Sequence, residues 1–163
     1  MGEKVTVNEA ELREETLLIK RCALVVKGGR RFSFSAYVVV GNEKGVVGLG
    51  HGKAAEVASA IGKANHDARK NLFCIEVDDN TVPHPSKIKF GASEMIILPA
   101  KPGTGVIACT PVRAIMTLAG IHDVLTKSFG SNNPINLIKA TVKGLRGMKG
   151  RKTVESHRGV KLA

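Results

Sequence analysis

The segment Lys27-Gly28-Gly29-Arg30-Arg31 holds the residues best suited to chemistry, and that chemistry is the binding of phosphate groups. The glycine pair supplies the backbone freedom that a tight connection needs. With Lys20 and Arg21 just upstream, residues 20–31 carry five basic side chains and no acidic one. A cationic loop leading into a strand can grip a nucleic-acid backbone, although a solvated hairpin tip would show the same residues.

A second segment, Gly50-His51-Gly52-Lys53-Ala54-Ala55, matches the G-x-G-x-x-A pattern of dinucleotide-binding proteins. The strands before it are joined by short turns, which implies antiparallel pairing and argues against a doubly wound parallel sheet. We therefore interpret Gly48, Gly50 and Gly52 as a crowded strand-to-helix turn, whose helix N-terminus could receive a phosphate oxygen. A nucleotide-binding enzyme that uses the Gly50–Ala55 turn is kept as the weakest alternative.

A predicted helix over residues 54–73 carries a further group of basic residues. Its apolar residues recur at three- and four-residue steps, which predicts a face that covers a sheet. Lys63, His66 and Lys70 share helical spacing on another face. That face is either a second phosphate-binding ridge or an ordinary solvated surface.

Enzyme chemistry has little support in this sequence. No Ser/His/Asp or Cys/His arrangement has a recognisable local context. Cys22, Cys74 and Cys109 are odd in number and lack a CxxC pair, so neither a disulfide framework nor a zinc site is predicted, and a reducing cytosol fits. With one Tyr, five Phe and no Trp, a stacking platform for single strands is weakly supported. We predict no catalytic site, no metal and no cofactor.

Composition points to a polyanionic partner. The 163 residues carry a net charge of +11, and 43% of them are hydrophobic, which is enough for a true core. Nucleic acid is the first candidate and an anionic membrane surface the second. There is no secretory signal, and no apolar run approaches the ~20 residues of a membrane span, so we predict no membrane partner.

Periodicity predicts an α+β protein with two small domains. In the first half, three strands near residues 17–26, 32–40 and 46–50 form an antiparallel meander, and the helix follows. In the second half, strands at 87–90 and 94–98 precede a loop at 99–105. A helix then begins at Thr110-Pro111 and ends at Gly120, residues 121–129 form a further strand, and a second helix runs from Asn133-Pro134 to about Leu145. The predicted divisions are a flexible tail over 1–11, domains over 12–79 and 86–147, and a basic tail over 148–163 without regular structure.

Long ordered segments resemble one known family. VKGGRRFSFSAYVVVGNEKGVVGLGHGKAAEVASAIGKANHDARKNL resembles the N-terminal domain of small-subunit ribosomal protein five, of the bacterial type. GTGVIA and VRAIMTLAGIHDVLTKSFGSNNPINLIKATVKGL resemble its C-terminal domain. The resemblance covers residues 12–147. It implies a first domain like the double-stranded-RNA-binding fold, with βββα order, and a second α/β domain of a type that this family shares with several nucleotide-handling proteins. His51 stands where the family has an aromatic residue.

The resemblance also implies a function. The family is a structural constituent of the small ribosomal subunit, binds 16S rRNA near the mRNA entrance and the decoding region, and supports assembly and translational accuracy. It contacts small-subunit proteins four and eight, and its loop, here Cys22–Phe32, borders the spectinomycin pocket. A free-standing double-stranded-RNA-binding regulator is the main alternative. The predicted RNA-binding residues are Lys20, Arg21, Lys27, Gly28, Gly29, Arg30, Arg31, Phe32, Lys53, Lys63 and Lys70. The predicted interface with protein four is Gly103, Thr104, Gly105 and Arg113.

Overall fold

The computed structural model describes residues 12–77 and 80–159, so the predicted tail over 1–11 lies outside the described residues. The first half forms a four-stranded antiparallel sheet with strand order β1-β2-β3-β4 and one helix, α1. These elements are β1 (Arg13–Val26), β2 (Gly29–Gly41), β3 (Val46–Ala54), α1 (Val57–Lys70) and β4 (Leu72–Cys74).

Small residues allow α1 to lie very close to β3. The buried face of α1 consists of Ala60, Ala64 and Ala68, and alternate residues of β3 beneath it are glycines. A Cβ atom added at any of these glycines would approach the α1 backbone more closely than 3.0 Å. The glycines concerned are Gly48, Gly50 and Gly52. Their interpretation as a strand-to-helix turn is therefore wrong: they lie inside a strand, where the absent side chains make room for the helix.

The predicted helix over 54–73 is longer than the observed one at both ends. β3 continues to Ala54, and α1 begins only at Val57. At the other end Asn71 terminates the helix, and its side-chain amide donates to the carbonyl oxygen of Asp67 at 3.0 Å. Leu72–Cys74 then pairs with Val46–Gly48 as β4, a strand that the helical spacing of Leu72 concealed.

The second half forms a sheet of order β5-β6-β8-β7, covered by two helices. β5, β6 and β8 are antiparallel neighbours, and the short β7 is parallel to β8. The elements are β5 (Ser86–Phe90), β6 (Ser93–Pro99), β7 (Val106–Ile107), α2 (Thr110–Leu118), β8 (Val124–Gly130), α3 (Pro134–Gly147) and α4 (Arg151–Arg158). This architecture confirms the predicted α+β class with two small sheets.

Local capping signals located the helix ends in this half well. The Asn133 side chain accepts a hydrogen bond from the Ile135 amide at 3.2 Å, and Pro134 occupies the first turn of α3. Gly120, with φ of +82°, follows the end of α2. The α2 N-cap is Cys109 and not the predicted Thr110; its side chain makes no capping bond.

The predicted basic tail contains a helix of eight residues, α4, so the expectation of no regular structure there is wrong. Met148 is buried, and a Cβ atom at Gly150 would collide with the Glu76 side chain. The hydroxyl of Thr153 donates to the Glu76 carboxylate. Contacts with a residue just after β4 therefore hold the start of α4 against the first half of the chain.

The two halves also share one hydrophobic core. Val39 and Val47 from the first sheet belong to the same buried cluster as Met95, Ile115 and Ile138. At the turn between β2 and β3, the amides of Glu43 and Gly45 donate to the carbonyl oxygens of Leu118 and Ala119, each at 3.0 Å. We call the contact between residues 41–45 and residues 118–120 the seam.

Candidate nucleic-acid interface

The β1–β2 hairpin carries the predicted phosphate-binding loop. The two strands stay paired from Arg13 with Gly41 to Val26 with Gly29, which leaves Lys27 and Gly28 as a two-residue turn. Gly29 has φ of +146°, a conformation that favours glycine, whereas Gly28 is not in the left-handed region. We call residues 20–34 the distal hairpin. Most of its side chains are exposed, including Leu24 at 65% and Val25 at 72%.

Strand register divides the predicted RNA-binding residues of the distal hairpin between two faces. Arg21, Arg30 and Phe32 lie on the face that, nearer the core, is covered by α1. The Arg21 guanidinium stacks 3.6 Å from the centroid of the Phe32 ring. Lys20 and Arg31 lie on the opposite face, so the hairpin presents positive charge in two directions.

The face of the first sheet that points away from α1 carries a second group of polar residues. Because Gly50 and Gly52 face α1, their neighbours His51 and Lys53 face away from it. Ser35 pairs with Lys20 on one side and with Lys53 on the other, and Tyr37 pairs with His51 in the next row. We call these residues the open-face cluster: Lys20, Ser35, Tyr37, His51 and Lys53.

The open-face cluster is ordered by direct contacts. The Tyr37 and His51 rings lie 4.5 Å apart between centroids with an interplanar angle of 35°. The Ser35 Oγ and His51 Nε2 atoms share a hydrogen bond of 2.7 Å. Partial burial raises the pKa of the Tyr37 phenol above its ordinary 10.0. The predicted RNA-binding residues included Lys20 and Lys53 but not Ser35 or Tyr37. The alternation of these polar residues with Phe34 and Ala36 is the signal that could have placed them on one face.

The basic residues of α1 are not gathered with the distal hairpin as a group. Ala60 lies over Gly52 and Ala68 over Gly48, so α1 runs away from the hairpin tip and Lys70 lies at its far end. Lys63 is closer, because its Cβ atom is 3.0 Å from where a Cβ of Gly52 would be. Lys63 and Lys70 are both exposed, so the structure leaves the second phosphate-binding ridge as a prediction.

The predicted protein interface is an exposed loop with a defined shape. Gly103 and Gly105 have φ of +87° and +76°, and the Thr104 hydroxyl donates to the Lys101 carbonyl at 2.7 Å. The Gly105 amide donates to the carboxylate of Asp123 at 2.8 Å. Arg113 is exposed on α2 and donates to the Ala108 carbonyl at 3.2 Å. These hydrogen bonds fix the loop without using its outer surface.

Two other classes of site find no support. The alternative of a nucleotide site at Gly50–Ala55 is wrong in its geometry, because its glycines are covered by α1 and the helix starts beyond the segment. Within residues 12–77 and 80–159, no three His, Cys, Asp or Glu side chains are grouped to hold a metal ion. Across the same stretches, none of the helices has the length and apolar character required to cross a bilayer.

The fold and this surface define a protein of α+β class in which a basic hairpin extends from a sheet packed on one helix. Residues 12–76 match the family of the ribosomal protein S5 N-terminal domain, and residues 88–158 match that of the ribosomal protein S5 C-terminal domain. The chain therefore belongs to the ribosomal protein S5 family. A similar protein of Bacteroides thetaiotaomicron, named small ribosomal subunit protein uS5, is 49% identical over 159 residues, which cover 98% of this chain and 92% of that relative.

Family membership confirms the resemblance that the sequence motifs indicated. It also identifies the protein as a structural component of the ribosome and not an enzyme.

Proposed function

We propose that this protein is a structural constituent of the small ribosomal subunit that binds 16S rRNA through the distal hairpin, near the mRNA entrance and the decoding region. The observation that carries the proposal is the length of the hairpin beyond the packed core. Its exposed cationic residues contribute little to the core, so their charge is available to a partner. Membership of the S5 family supplies the ribosomal context.

Electrostatic capture is the proposed mechanism at the hairpin. Lys27, Arg30 and Arg31 neutralise phosphates and release condensed counterions, so affinity for rRNA falls as salt rises. The guanidinium of Arg21 is held against Phe32, which reduces the conformational entropy lost when it binds. Because basic residues lie on both faces of the hairpin, it can contact two rRNA helices at once, one on each side.

The proposal extends to neighbouring proteins. We assign the loop that contains Gly103, Thr104 and Gly105, together with Arg113, to the contact with small-subunit protein four, and we include protein eight among the partners. Support comes from the exposed and internally hydrogen-bonded loop, which presents a rigid surface. A rigid surface loses little conformational entropy when a partner docks.

The main experiment compares two double variants that remove the same charge. Arg30→Ala/Arg31→Ala changes the distal hairpin, and Lys87→Ala/Lys89→Ala changes exposed positions of β5. We expect the hairpin variant alone to lose hydroxyl-radical protection of 16S rRNA and to incorporate poorly into reconstituted small subunits. Equal protection by the two variants would contradict the assignment. Failure of the unmodified chain to cosediment with salt-washed small subunits would favour the free-standing regulator.

Gly28→Asp tests the proposed position of the hairpin beside the decoding region. A Cβ atom at Gly28 meets nothing within 4 Å, so the expected effect comes from the added negative charge and not from backbone strain. We expect altered spectinomycin response and slower assembly in cells that carry this variant, while Gly28→Ala behaves as the unmodified protein. A normal drug response with Gly28→Asp would place the hairpin elsewhere in the subunit.

A further inference from the structure

The open-face cluster has features that the fold does not require. Its side chains point away from α1, and the Tyr37 and His51 rings belong to neither of the two hydrophobic cores. His51 is exposed, while its ring is fixed by Ser35 on one side and Tyr37 on the other. A fixed, exposed aromatic ring offers a flat surface that has already lost its rotational freedom.

Positive charge lies in the row next to the Tyr37 and His51 rings, on the side toward the hairpin tip. Lys20 and Lys53 flank Ser35 on neighbouring strands, so their Cα atoms stand two strand spacings apart, roughly 10 Å. Asp67 contacts this region through the backbone amide of His51, to which its carboxylate bonds at 2.9 Å. Lys20 and Lys53 thus place two ammonium groups, on flexible side chains, beside the row that holds the rings.

We propose that the open-face cluster binds an unpaired rRNA nucleotide, whose base stacks on His51 against Tyr37 while Lys20 and Lys53 contact its flanking phosphates. The choice of RNA as the occupant rests on the function proposed above. Base stacking on aromatic rings with cationic neighbours is the usual way in which proteins hold single-stranded RNA. Sequence composition argued against a stacking platform, but one tyrosine and one histidine suffice when the sheet places them in contact.

The cluster is continuous with the distal hairpin. Arg31 pairs with Leu24, and Ser33 pairs with Cys22, on the same face and in the rows between the tip and the cluster. A single RNA strand can therefore follow this face from the tip toward His51. The structure adds a specific, stacking contact to the sequence-independent charge of the tip.

The test uses the intrinsic fluorescence of the protein. Tyr37 is the only tyrosine of the chain and there is no tryptophan, so the emission reports on the cluster itself. We expect a decauridylate to quench this emission saturably in the full chain. His51→Ala should weaken the binding about ten-fold, whereas His51→Phe, which keeps a ring and loses the bond to Ser35, should restore most of it.

The lysines have a separate readout. Lys20→Ala/Lys53→Ala should lower the slope of log affinity against log salt by about 1.4, from about 0.7 for each lost contact with single-stranded RNA. Arg30→Ala/Arg31→Ala serves as the control, because it should lower affinity while leaving the quenching at saturation unchanged. The midpoints of thermal unfolding of all variants are compared to verify that they fold.

The outcomes separate this inference from the proposed function. If the unmodified chain enters reconstituted small subunits but decauridylate does not quench Tyr37, the stacking site is overturned and the ribosomal function stands. Equal affinity of His51→Ala and the unmodified chain also overturns it. In assembled subunits that contain 5-bromouridine-substituted 16S rRNA, crosslinks at Tyr37 or His51 support the inference. Crosslinks confined to the distal hairpin overturn it.

Discussion

The distal hairpin and the seam use glycine and charge in opposite ways. At the hairpin tip, a Cβ atom at Gly28 would lie in open space, and the cationic side chains extend into solvent. At the seam, a Cβ atom at Gly41 would come closer than 3.0 Å to the Leu118 carbonyl carbon, and one at Gly120 would collide with the Glu43 backbone. The side chains of the hairpin tip remain exposed, while the seam and the shared core supply the contacts that stabilise the fold.

This difference separates the residues that we propose to bind RNA from the residues that stabilise the fold. Substitution in the distal hairpin should change RNA affinity with little effect on unfolding, and substitution at the seam should do the reverse. The first three predictions each compare a packed position, at the seam or elsewhere in the interior, with a position in the distal hairpin. A single result of the wrong kind would weaken the division.

The largest expected effect is that of Gly41→Ala at the seam. Its new methyl group has no space beside Leu118, so we expect a loss of about 3 kcal/mol of unfolding free energy, or about 10 °C in the unfolding midpoint. Gly28→Ala is the matched control and should stay within about 0.5 kcal/mol of the unmodified chain. Thermal and urea unfolding measure both. A Gly41→Ala protein as stable as the control would show that the seam opens at little cost.

The next effect concerns a pair of valines. Val39 is 0% exposed and packs in the core that both sheets share, whereas Val25 is 72% exposed near the hairpin tip. Val39→Ala should cost about 2 kcal/mol through lost burial and a residual cavity, and Val25→Ala should cost less than about 0.5 kcal/mol. Calorimetry should show a single unfolding transition whose midpoint temperature is lower in Val39→Ala than in the unmodified chain. Two separated transitions would mean that the sheets unfold independently.

A smaller effect is expected from a pair of arginines. The Arg146 guanidinium lies 4.5 Å from the centroid of the Phe73 ring and donates to the Asn71 carbonyl at 3.1 Å, which joins α3 to β4. Arg146→Ala should lower stability by about 1 kcal/mol. Arg31→Ala should leave stability unchanged and weaken binding to 16S rRNA instead. Chemical unfolding measures the stability of both variants, and filter binding measures their affinity for 16S rRNA. A loss of stability in Arg31→Ala, or a loss of RNA affinity alone in Arg146→Ala, would contradict the prediction.

Local signals in the sequence predicted the features that depend on neighbours along the chain. Asn133-Pro134 located the start of α3, and Gly120 marked the end of α2. The charge of the distal hairpin was likewise visible, because five basic residues within positions 20–31 can be recognised without knowledge of the fold.

Features that depend on distant residues were missed for the same physical reason. The glycines of β3 look like a phosphate-binding turn in sequence, and only the position of α1 shows that they make room for a helix. The stack of Tyr37 on His51 depends on the register of β2 with β3, which no local pattern specifies. The seam likewise joins residues 41–45 to residues 118–120, far apart along the chain.

The smallest expected effect comes from the ionisation of Tyr37, which lies between the two regions compared here. Partial burial raises the pKa of its phenol above 10.0 in the folded protein, while the unfolded chain keeps the ordinary value. Between these two values the unfolded state has lost the proton that the folded state retains. Stability should therefore decline as pH rises above 10.0 and level off beyond the folded pKa.

Absorbance titration of this only tyrosine gives the pKa directly, and Tyr37→Phe should abolish this part of the pH dependence. A phenol pKa at or below 10.0 would mean that the Tyr37 ring is better solvated than its contact with His51 implies. Tyr37 would then be grouped with the exposed residues of the distal hairpin and not with the packed interior.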